Sequence, residues 1–256
     1  MPPPKAPDPS EGVDAERRRA ATTPRGELAQ TRAGRPEGRG PKSLSQIRAS
    51  EAESRSSESL RLRRQIMEAM LICCGERGFR HVRVQDVIDR YGGYRVQFYR
   101  HFSSKADCYT AAYEAASEEL CAALLGAGAT APSWREGLRA TLRKLAAVAR
   151  ERPLWTRGVL VEVHVACGAA MTKRVEVIER LSRAIDSARH ETESRHSPPP
   201  ITAAFIVSAI EESVGTALAN GAPERFAEAV PQLVYLAVAA YFGEESAREE
   251  LAAPRS

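Results

Sequence analysis

The spacing of the apolar residues is the feature that most restricts the fold of this chain. In every segment with a regular pattern they recur three or four residues apart, which is the period of an amphipathic helix. No segment alternates apolar and polar residues between turn signals, as a half-buried strand does. Since 43% of the 256 residues are apolar, the chain can bury a large core. The sequence therefore predicts an all-α fold.

The helical pattern is interrupted at positions that suit helix ends. The predicted helices are about 57–77, 83–90, 94–101, 104–125, 134–150, 154–170, 173–190, 201–219 and 223–242. Gly78 follows the first of them, where a residue in the left-handed conformation commonly ends a helix. Gly92 and Gly93 separate the second from the third, and Ser104 offers an N-cap to the fourth.

The two ends of the chain have a different composition. Residues 1–56 are rich in Pro, Gly, Arg, Ser and Glu, and such a segment buries too little apolar surface to offset its ordering entropy. We therefore expect a disordered tail. Its basic clusters, 17–19 and 32–39, leave open whether it touches DNA phosphates or is a solvated linker. Residues 246–256 are expected to be a flexible C-terminus.

Charge divides the remainder of the chain. Residues 60–105 contain ten Lys/Arg and four Asp/Glu, whereas residues 106–256 contain sixteen and twenty. A positive module joined to a mildly acidic body is typical of a protein that binds a polyanion at one end.

Other classes of protein are disfavoured by what the sequence lacks. The five cysteines include no CxxC pair and no Cys/His cluster with zinc spacing, so we expect no disulfide, metal or cofactor. No segment approaches the roughly 18 consecutive apolar residues of a membrane span, and the N-terminus does not resemble a signal peptide. The expected location is the cytoplasm, with no membrane partner.

The segment 90–105, RYGGYRVQFYRHFSSK, combines a buried edge with a polar surface. Phe98 and Phe102 are four residues apart and favour burial, while Arg and Gln side chains surround them. Two helices joined by a glycine turn, the second with hydrogen-bond donors outward, indicate a helix-turn-helix. Its second helix would enter the major groove, where Arg95 pairs well with guanine and Gln97 with adenine.

Residues 62–114 resemble the DNA-binding domain of tetracycline-repressor-like (TetR-type) transcriptional regulators. The resemblance rests on Ile66, Ala69, Met70, Gly78-Phe79, 84–87, Gly92 and above all 98–105, FYRHFSSK. It implies a helix-turn-helix domain at 57–105 and a helical effector-binding and dimerisation domain at 106–245. It also implies a homodimer bound to a near-palindromic operator of double-stranded DNA.

The resemblance assigns roles to seven residues of this sequence. Base-reading residues would be Tyr94, Arg95 and Gln97, and phosphate contacts would be Tyr99, His101, Lys105 and Arg83. The sequence departs from the usual pattern at Gly93, Tyr94 and Val96. Because Tyr94 replaces the usual Ser or Thr cap, we expect a helix start weaker by about 1 kcal/mol.

The C-terminal body is expected to dimerise and to bind a ligand. Segments 201–219 and 223–242 are apolar around most of their circumference, as helices buried on several sides are, and the resemblance implies that they pair with their twin across a twofold axis. An intramolecular core without a dimer is the alternative. The pocket for a small hydrophobic effector would be lined by middle-helix residues, namely Trp134, Trp155, His164, Cys167 and Met171.

The sequence thus favours a ligand-responsive DNA-binding regulator over an enzyme, and the resemblance to the family implies a repressor. Glu162 and His164 invite a catalytic or metal interpretation, but two residues apart on a helix they point in different directions. We find no nucleophile–base pairing and no phosphate-binding glycine loop. The alternative is an all-α enzyme or scaffolding dimer that retains the helix-turn-helix shape without sequence-specific DNA binding.

Overall fold

The architecture was obtained from a computed structural model, which describes residues 44–166, 168–191 and 198–252, with side chains between residues 52 and 251. Contacts divide the chain into residues 1–47 and residues 48–256. The described part is helical and contains no strand, in agreement with the predicted all-α fold. Its α-helices are α1 Leu44–Arg77, α2 Val84–Tyr91, α3 Arg95–His101, α4 Lys105–Ala129, α5 Trp134–Glu151, α6 Pro153–Leu160, α7 Gly168–Asp186, α8 Thr202–Ala219, α9 Glu224–Phe242 and α10 Glu244–Ala252.

The C-terminal half of α1 packs with α2 and α3 into a small three-helix module. Its core is closed by large apolar side chains, among them Ile66, Met70 and Phe98. Both turns depend on glycine, because Gly78 and Gly92 adopt φ angles of +82° and +73°, which side chains with a Cβ rarely tolerate. The predicted helix ends at Arg77 and near Arg90, and the buried edge of α3, are confirmed.

The rest of the chain forms a layered helical body. Helix α4 packs on α5 and α7, α5 packs on α9, and α8 packs on α7 and α9. One apolar core runs from the three-helix module into this body without interruption. The body is therefore packed directly onto the module through α4 and α6.

Helix α1 begins at Leu44, so the predicted tail of 1–56 is wrong for residues 44–56. These residues contain no Pro or Gly, and six of the thirteen are Ala, Glu or Arg, which favour helix. Side chains 52–61 are exposed, so this part of the helix has no apolar periodicity from which it could be predicted. Residues 1–43, with both basic clusters, lie outside the described residues.

Two predicted segments of the body differ from the structure. The single helix expected at 154–170 is interrupted after Leu160 by a 3-10 turn at Glu162–His164, because this turn brings the Glu162 carboxylate to the module. Helix α4 continues through the loop expected at 126–132 as far as Ala129. It does so because the backbone of Gly128 lies against that of Gly137 on α5, a contact invisible in the sequence.

The C-terminus is ordered by tertiary contacts as far as residue 252. The prediction of a flexible segment at 246–256 is wrong there, since α10 buries Ala247 and Glu250. The Glu250 carboxylate accepts two hydrogen bonds of 2.8 Å from the guanidinium of Arg139. Residues 253–256 lie outside the described residues.

Helix α8 has the length and composition of a membrane span, with a mean hydropathy of 1.3 over 18 residues, although no such segment was expected from the sequence. Its apolar residues are interrupted by too few charges to lower this average. The same values occur in core helices of soluble proteins, and 28% of α8 is buried here. This single helix is weak evidence for a membrane.

Candidate DNA-binding surface and interior cavity

Helix α3 separates a buried edge from an exposed face. Phe98 is completely buried and its ring packs against Phe102 with centroids 5.8 Å apart. On the other side Tyr94 is 77% and Val96 70% exposed, and Arg95 is exposed as well. Because α3 contains no acidic residue, this face presents hydrogen-bond donors and positive charge to solvent.

The start of α3 is stabilised without a Ser or Thr cap. The Gln97 side-chain oxygen accepts a hydrogen bond of 2.8 Å from the Tyr94 N–H, and the Tyr91 hydroxyl donates to the Tyr94 carbonyl over 2.8 Å. Gln97 therefore compensates in part for the missing cap. The side-chain oxygen of Gln97 already accepts a hydrogen bond, so its NH₂ group is the part that can contact a partner.

Arg95 and Tyr99 lie one turn apart on the exposed face and contact each other. An Arg95 guanidinium N–H donates to the Tyr99 hydroxyl over 3.4 Å, and the guanidinium lies 5.4 Å from the centre of the ring. Arg83, at the start of α2, is also exposed, while its backbone N–H donates to the Asp86 carboxylate over 2.7 Å. These side chains are accessible to a partner.

Lys105 is partly buried and has internal partners. Its ammonium donates to the backbone carbonyls of Phe79 and Val82 at 2.8 and 3.0 Å. It also lies 4.3 Å from the centre of the Phe79 ring. Two of its three donors thus hold the turn between α1 and α2, and the predicted phosphate contact remains a prediction.

His101, at the end of α3, is half-buried. Arg63 of α1 donates to its carbonyl oxygen over 3.0 Å and covers the Phe102 ring at 4.4 Å. Burial, followed by the positive charges of Arg63 and Arg100, lowers the pKa of the His101 imidazole below its ordinary value. This environment favours the neutral ring, which has one N–H to donate.

The module is joined to the body by a buried carboxylate and by close packing. Glu162 accepts a hydrogen bond of 2.7 Å from the Phe79 N–H. The Tyr109 hydroxyl donates to the Gly158 carbonyl over 2.8 Å. A Cβ at Gly158 would stand 2.2 Å from the Leu71 carbonyl oxygen, so α6 and α1 approach more closely than any other residue type would allow.

A cavity of about 370 Å³ lies within the body between α4, α5, α7 and α8. Its volume is within the range of small-molecule sites. The lining is mainly apolar, and its residues on α4 are Tyr113, Ser117, Leu120, Cys121, Leu124, Leu125, Gly128 and Ala129. The described lining residues include Glu191 and Glu211 but no Lys or Arg.

The five residues predicted to bind a ligand lie in different places relative to this cavity. Trp134 lines the cavity, whereas Trp155, His164 and Met171 do not. Trp155 is buried beneath the Arg152 guanidinium, 4.1 Å from its ring, and His164 is exposed because it follows the end of α6. Cys167 lies outside the described residues.

The polar residues of the cavity were missed by the sequence analysis. Glu211 of α8 forms an ion pair with Arg174 of α7, and burial raises the pKa of the Glu211 carboxyl. Burial, and then the charge of Glu211, also raises the pKa of Tyr113 on α4. No spacing in the sequence relates three residues on three different helices, so no local signal could have found them.

A second cavity of about 410 Å³ lies between α5 and α9 and differs in its chemistry. Three arginines and three glutamates line it, namely Arg139, Arg143, Arg150, Glu224, Glu228 and Glu250. The apolar cavity beside α4 is the better container for a hydrophobic molecule. Within the described residues, no three His, Cys, Asp or Glu side chains form a group that could hold a metal.

Comparisons with known proteins agree with this arrangement. The sequence matches no protein-family model and no curated protein. Among solved structures, the transcriptional regulator FadR from Bacillus subtilis, in complex with stearoyl-CoA, superposes with a TM-score of 0.60 at 15% identity over 69% of this chain and 97% of its own. The chain has the TetR fold.

Two further structures show the same TetR fold. A TetR family regulator from Marinobacter aquaeolei has a TM-score of 0.58 at 20% identity, covering 73% of this chain and 98% of its own. SmeT, the repressor of a multidrug efflux pump of Stenotrophomonas maltophilia, has a TM-score of 0.56 at 20% identity, covering 70% and 89%. At such identities the TetR fold is what the proteins share.

Proposed function

We propose that the protein is a ligand-responsive transcriptional regulator that binds DNA through α3 and is released by a molecule in the apolar cavity. The observation that carries this proposal is the exposed, donor-rich face of α3, held outward by the buried Phe98 and Phe102. FadR and SmeT, which have the same fold, are described as a transcriptional regulator and a repressor. A non-catalytic role fits this description.

The DNA contacts follow from the accessible side chains. Arg95, Tyr94 and the NH₂ group of Gln97 would meet base edges in the major groove. Val96, absent from the predicted contacts, would place its methyl groups against a thymine methyl. Tyr99, His101 and Arg83 would contact phosphates, and the third ammonium donor of Lys105 would do so while its other two hold the turn.

A homodimer would place two copies of α3 on one operator. Phe205 of α8, Leu236 of α9 and Ile201, directly before α8, are exposed. Exposed apolar residues on adjacent helices support a protein–protein interface. Recognition helices must lie roughly 34–36 Å apart, or a multiple of it, to enter successive major grooves. A near-palindromic operator would match this twofold arrangement.

The route from cavity to DNA would run through α6. Val159 and Leu160 line the cavity, and the same helix carries Gly158 against α1 and leads into Glu162. A ligand that displaced α6 would disturb the hydrogen bond to Phe79 at the start of the module's turn. The shift is limited to the ligand's differential affinity for the two conformations.

DNA binding is tested by mobility shift with the DNA upstream of the protein's own gene, at several salt concentrations. We expect binding that survives excess random DNA and weakens steeply with salt. Arg95→Ala should weaken it by about tenfold or more, as loss of a base contact does. Arg150→Ala removes the same charge from α5 and should have little effect.

Equal binding to upstream and random DNA would contradict the regulator proposal and favour the scaffold or enzyme alternative. Normal binding by the Arg95 variant would contradict the assignment of α3 alone.

The dimer is tested by sedimentation of Phe205→Glu, which places a charge in the proposed interface. We expect a monomer, since a buried unpaired charge is strongly destabilising. Leu60→Glu, an equally exposed apolar residue on α1, is the control and should remain a dimer. A dimeric Phe205 variant would place the interface elsewhere.

A further inference from the structure

The cavity beside α4 has spare hydrogen-bonding capacity where Tyr113 and Glu211 line it. The lining hydroxyls of Ser117, Thr141 and Ser187 each donate to a nearby backbone carbonyl. The Tyr113 hydroxyl has no acceptor within the described part of the chain. Glu211 uses Oε2 for Arg174, while its Oε1 has no donor among the described residues. One donor and one acceptor therefore remain for a ligand.

These two groups belong to the same end of the cavity. Both residues line the same cavity, and the 4.0 Å contact between Lys173 and Glu114 places the start of α7 beside Tyr113. The charge of Glu211 also contributes to the raised pKa of Tyr113. Arg174 is paired with that carboxylate and acts on the same tyrosine. Since Arg174 balances the charge of Glu211, the pair offers hydrogen bonds without a net charge.

The cavity is long, and this end of it is the closed one. Lining residues on α4 run from Tyr113 to Ala129, which corresponds to about 24 Å at 1.5 Å per residue. Tyr113 is only 3% exposed, whereas Ala129, Ser187 and Glu191 at the opposite end are exposed. A ligand entering from that open end brings its leading group to Tyr113 and Glu211.

The chemistry of the closed end selects among leading groups. A purely apolar group would leave the buried Tyr113 hydroxyl and Glu211 Oε1 without hydrogen-bond partners, which is costly. A carboxylate would face Glu211 without a spare cation among the described lining residues. An ammonium group would compete with Arg174 for one carboxylate and bury a second positive charge. A hydroxyl group accepts from Tyr113 and donates to Glu211 Oε1 at once.

On the function proposed above, we propose that the effector is an elongated, uncharged apolar molecule with a hydroxyl group at its leading end, recognised by Tyr113 and Glu211. Such molecules are alcohols. Acyl chains that would enter the cavity with the methyl end first do not belong to this class. Specificity then resides in one donor–acceptor pair at the end of an apolar channel.

The test is calorimetric titration of the full chain with three probes that share an eight-carbon chain, namely 1-octanol, octanoate and octylammonium. We expect 1-octanol to bind about tenfold more tightly than either charged probe, because each of them leaves a buried partner unsatisfied. Tighter or equal binding of octanoate or octylammonium would overturn the inference, as would the absence of 1-octanol binding.

A variant assigns the preference to the tyrosine. Tyr113→Phe keeps the ring and should weaken 1-octanol binding by about fivefold to tenfold, while octylammonium, which cannot accept from the tyrosine, should bind unchanged. Tyr235→Phe, on α9 and outside the cavity lining, removes the same kind of hydroxyl and should bind 1-octanol as the parent does. Unchanged affinity in the Tyr113 variant would overturn the assignment, and thermal melts of each variant verify the fold.

These titrations contain no DNA, so they fail independently of the regulator proposal. Sequence-specific DNA binding together with a preference for octanoate would reject the alcohol effector alone. A preference for 1-octanol in a protein that does not bind DNA specifically would reject the regulator and keep the cavity's specificity.

Discussion

The three-helix module and the helical body place their functional residues on opposite sides of similar helices. In α3, Phe98 is buried while Tyr94 and Arg95 are exposed. In α4, Leu120 and Tyr113 face inward and line a void. Both helices have one packed side. Only in α3 do the polar residues of interest lie on the side that is not packed. The exposed residues of a binding surface interrupt the apolar pattern of the sequence. The residues that line an internal cavity continue this pattern.

The two regions differ in chemistry but are mechanically continuous. Gly75 and Gly158 let α1 and α6 approach within contact of each other's backbone, since a Cβ at Gly75 would stand 1.9 Å from the Leu154 carbonyl oxygen. Glu162 adds a hydrogen bond to the module's turn at Phe79. An event in the body therefore has a short physical route to the three-helix module.

The largest expected effect comes from a substitution at the contact between α1 and α6. Gly158→Ala forces a Cβ to within 2.2 Å of the Leu71 carbonyl oxygen, and overpacking against a backbone should lower the free energy of unfolding by about 1–3 kcal/mol. Urea denaturation followed by circular dichroism measures it. Gly126→Ala, with no atom within 4 Å of its added Cβ, should instead stabilise α4 by up to about 1 kcal/mol. Equal stability of both variants would mean that α6 does not pack tightly on α1.

Removing the buried carboxylate should have a slightly smaller effect. Glu162→Ala leaves the Phe79 N–H without its acceptor and should cost about 1–2 kcal/mol in the free energy of unfolding. Glu151→Ala, at the exposed end of α5, is the matched control and should change stability by less than about 0.5 kcal/mol. If the two variants unfold at the same urea concentration, Glu162 contributes nothing to the junction.

A substitution at Lys105 tests whether this residue has a structural role or contacts DNA. Lys105→Met keeps the apolar stem but loses the hydrogen bonds to Phe79 and Val82, so the free energy of unfolding should fall by about 1 kcal/mol. Lys144→Met, an exposed lysine of α5, should leave stability unchanged. A Lys105 variant that is fully stable but binds DNA weakly would make this residue a phosphate contact alone.

The smallest effect is a pH dependence at His101. Because its pKa is lowered in the folded state, the unfolded chain takes up a proton first as the pH falls below about 6.5. Across the window between the two pKa values the unfolded state binds more protons, so stability decreases on acidification. Comparing unfolding at pH 7.5 and pH 5.5, His101→Gln should lose less stability than the parent. An identical loss would show that His101 does not contribute.

Sequence patterns predicted the three-helix module more accurately than the helical body. The bounds of α2 and α3 lie within one residue of their predictions, because Gly78, Gly92 and Ser104 mark helix ends by local backbone geometry. In the body, Trp134 lines the cavity, whereas Trp155 and Met171, predicted with it, do not line it. Apolar residues on a helix follow the same period whether they meet another side chain or an empty space.

The order and type of the helices, the buried edge of α3 and its outward donors were determined by the sequence alone, because each depends on periodicity or on a single residue's conformational preference. The tertiary structure decided the break after α6, the docking of α10 and the meeting of Tyr113, Arg174 and Glu211. Those features join residues far apart in the chain, and their energies arise only when distant helices exclude water from one another.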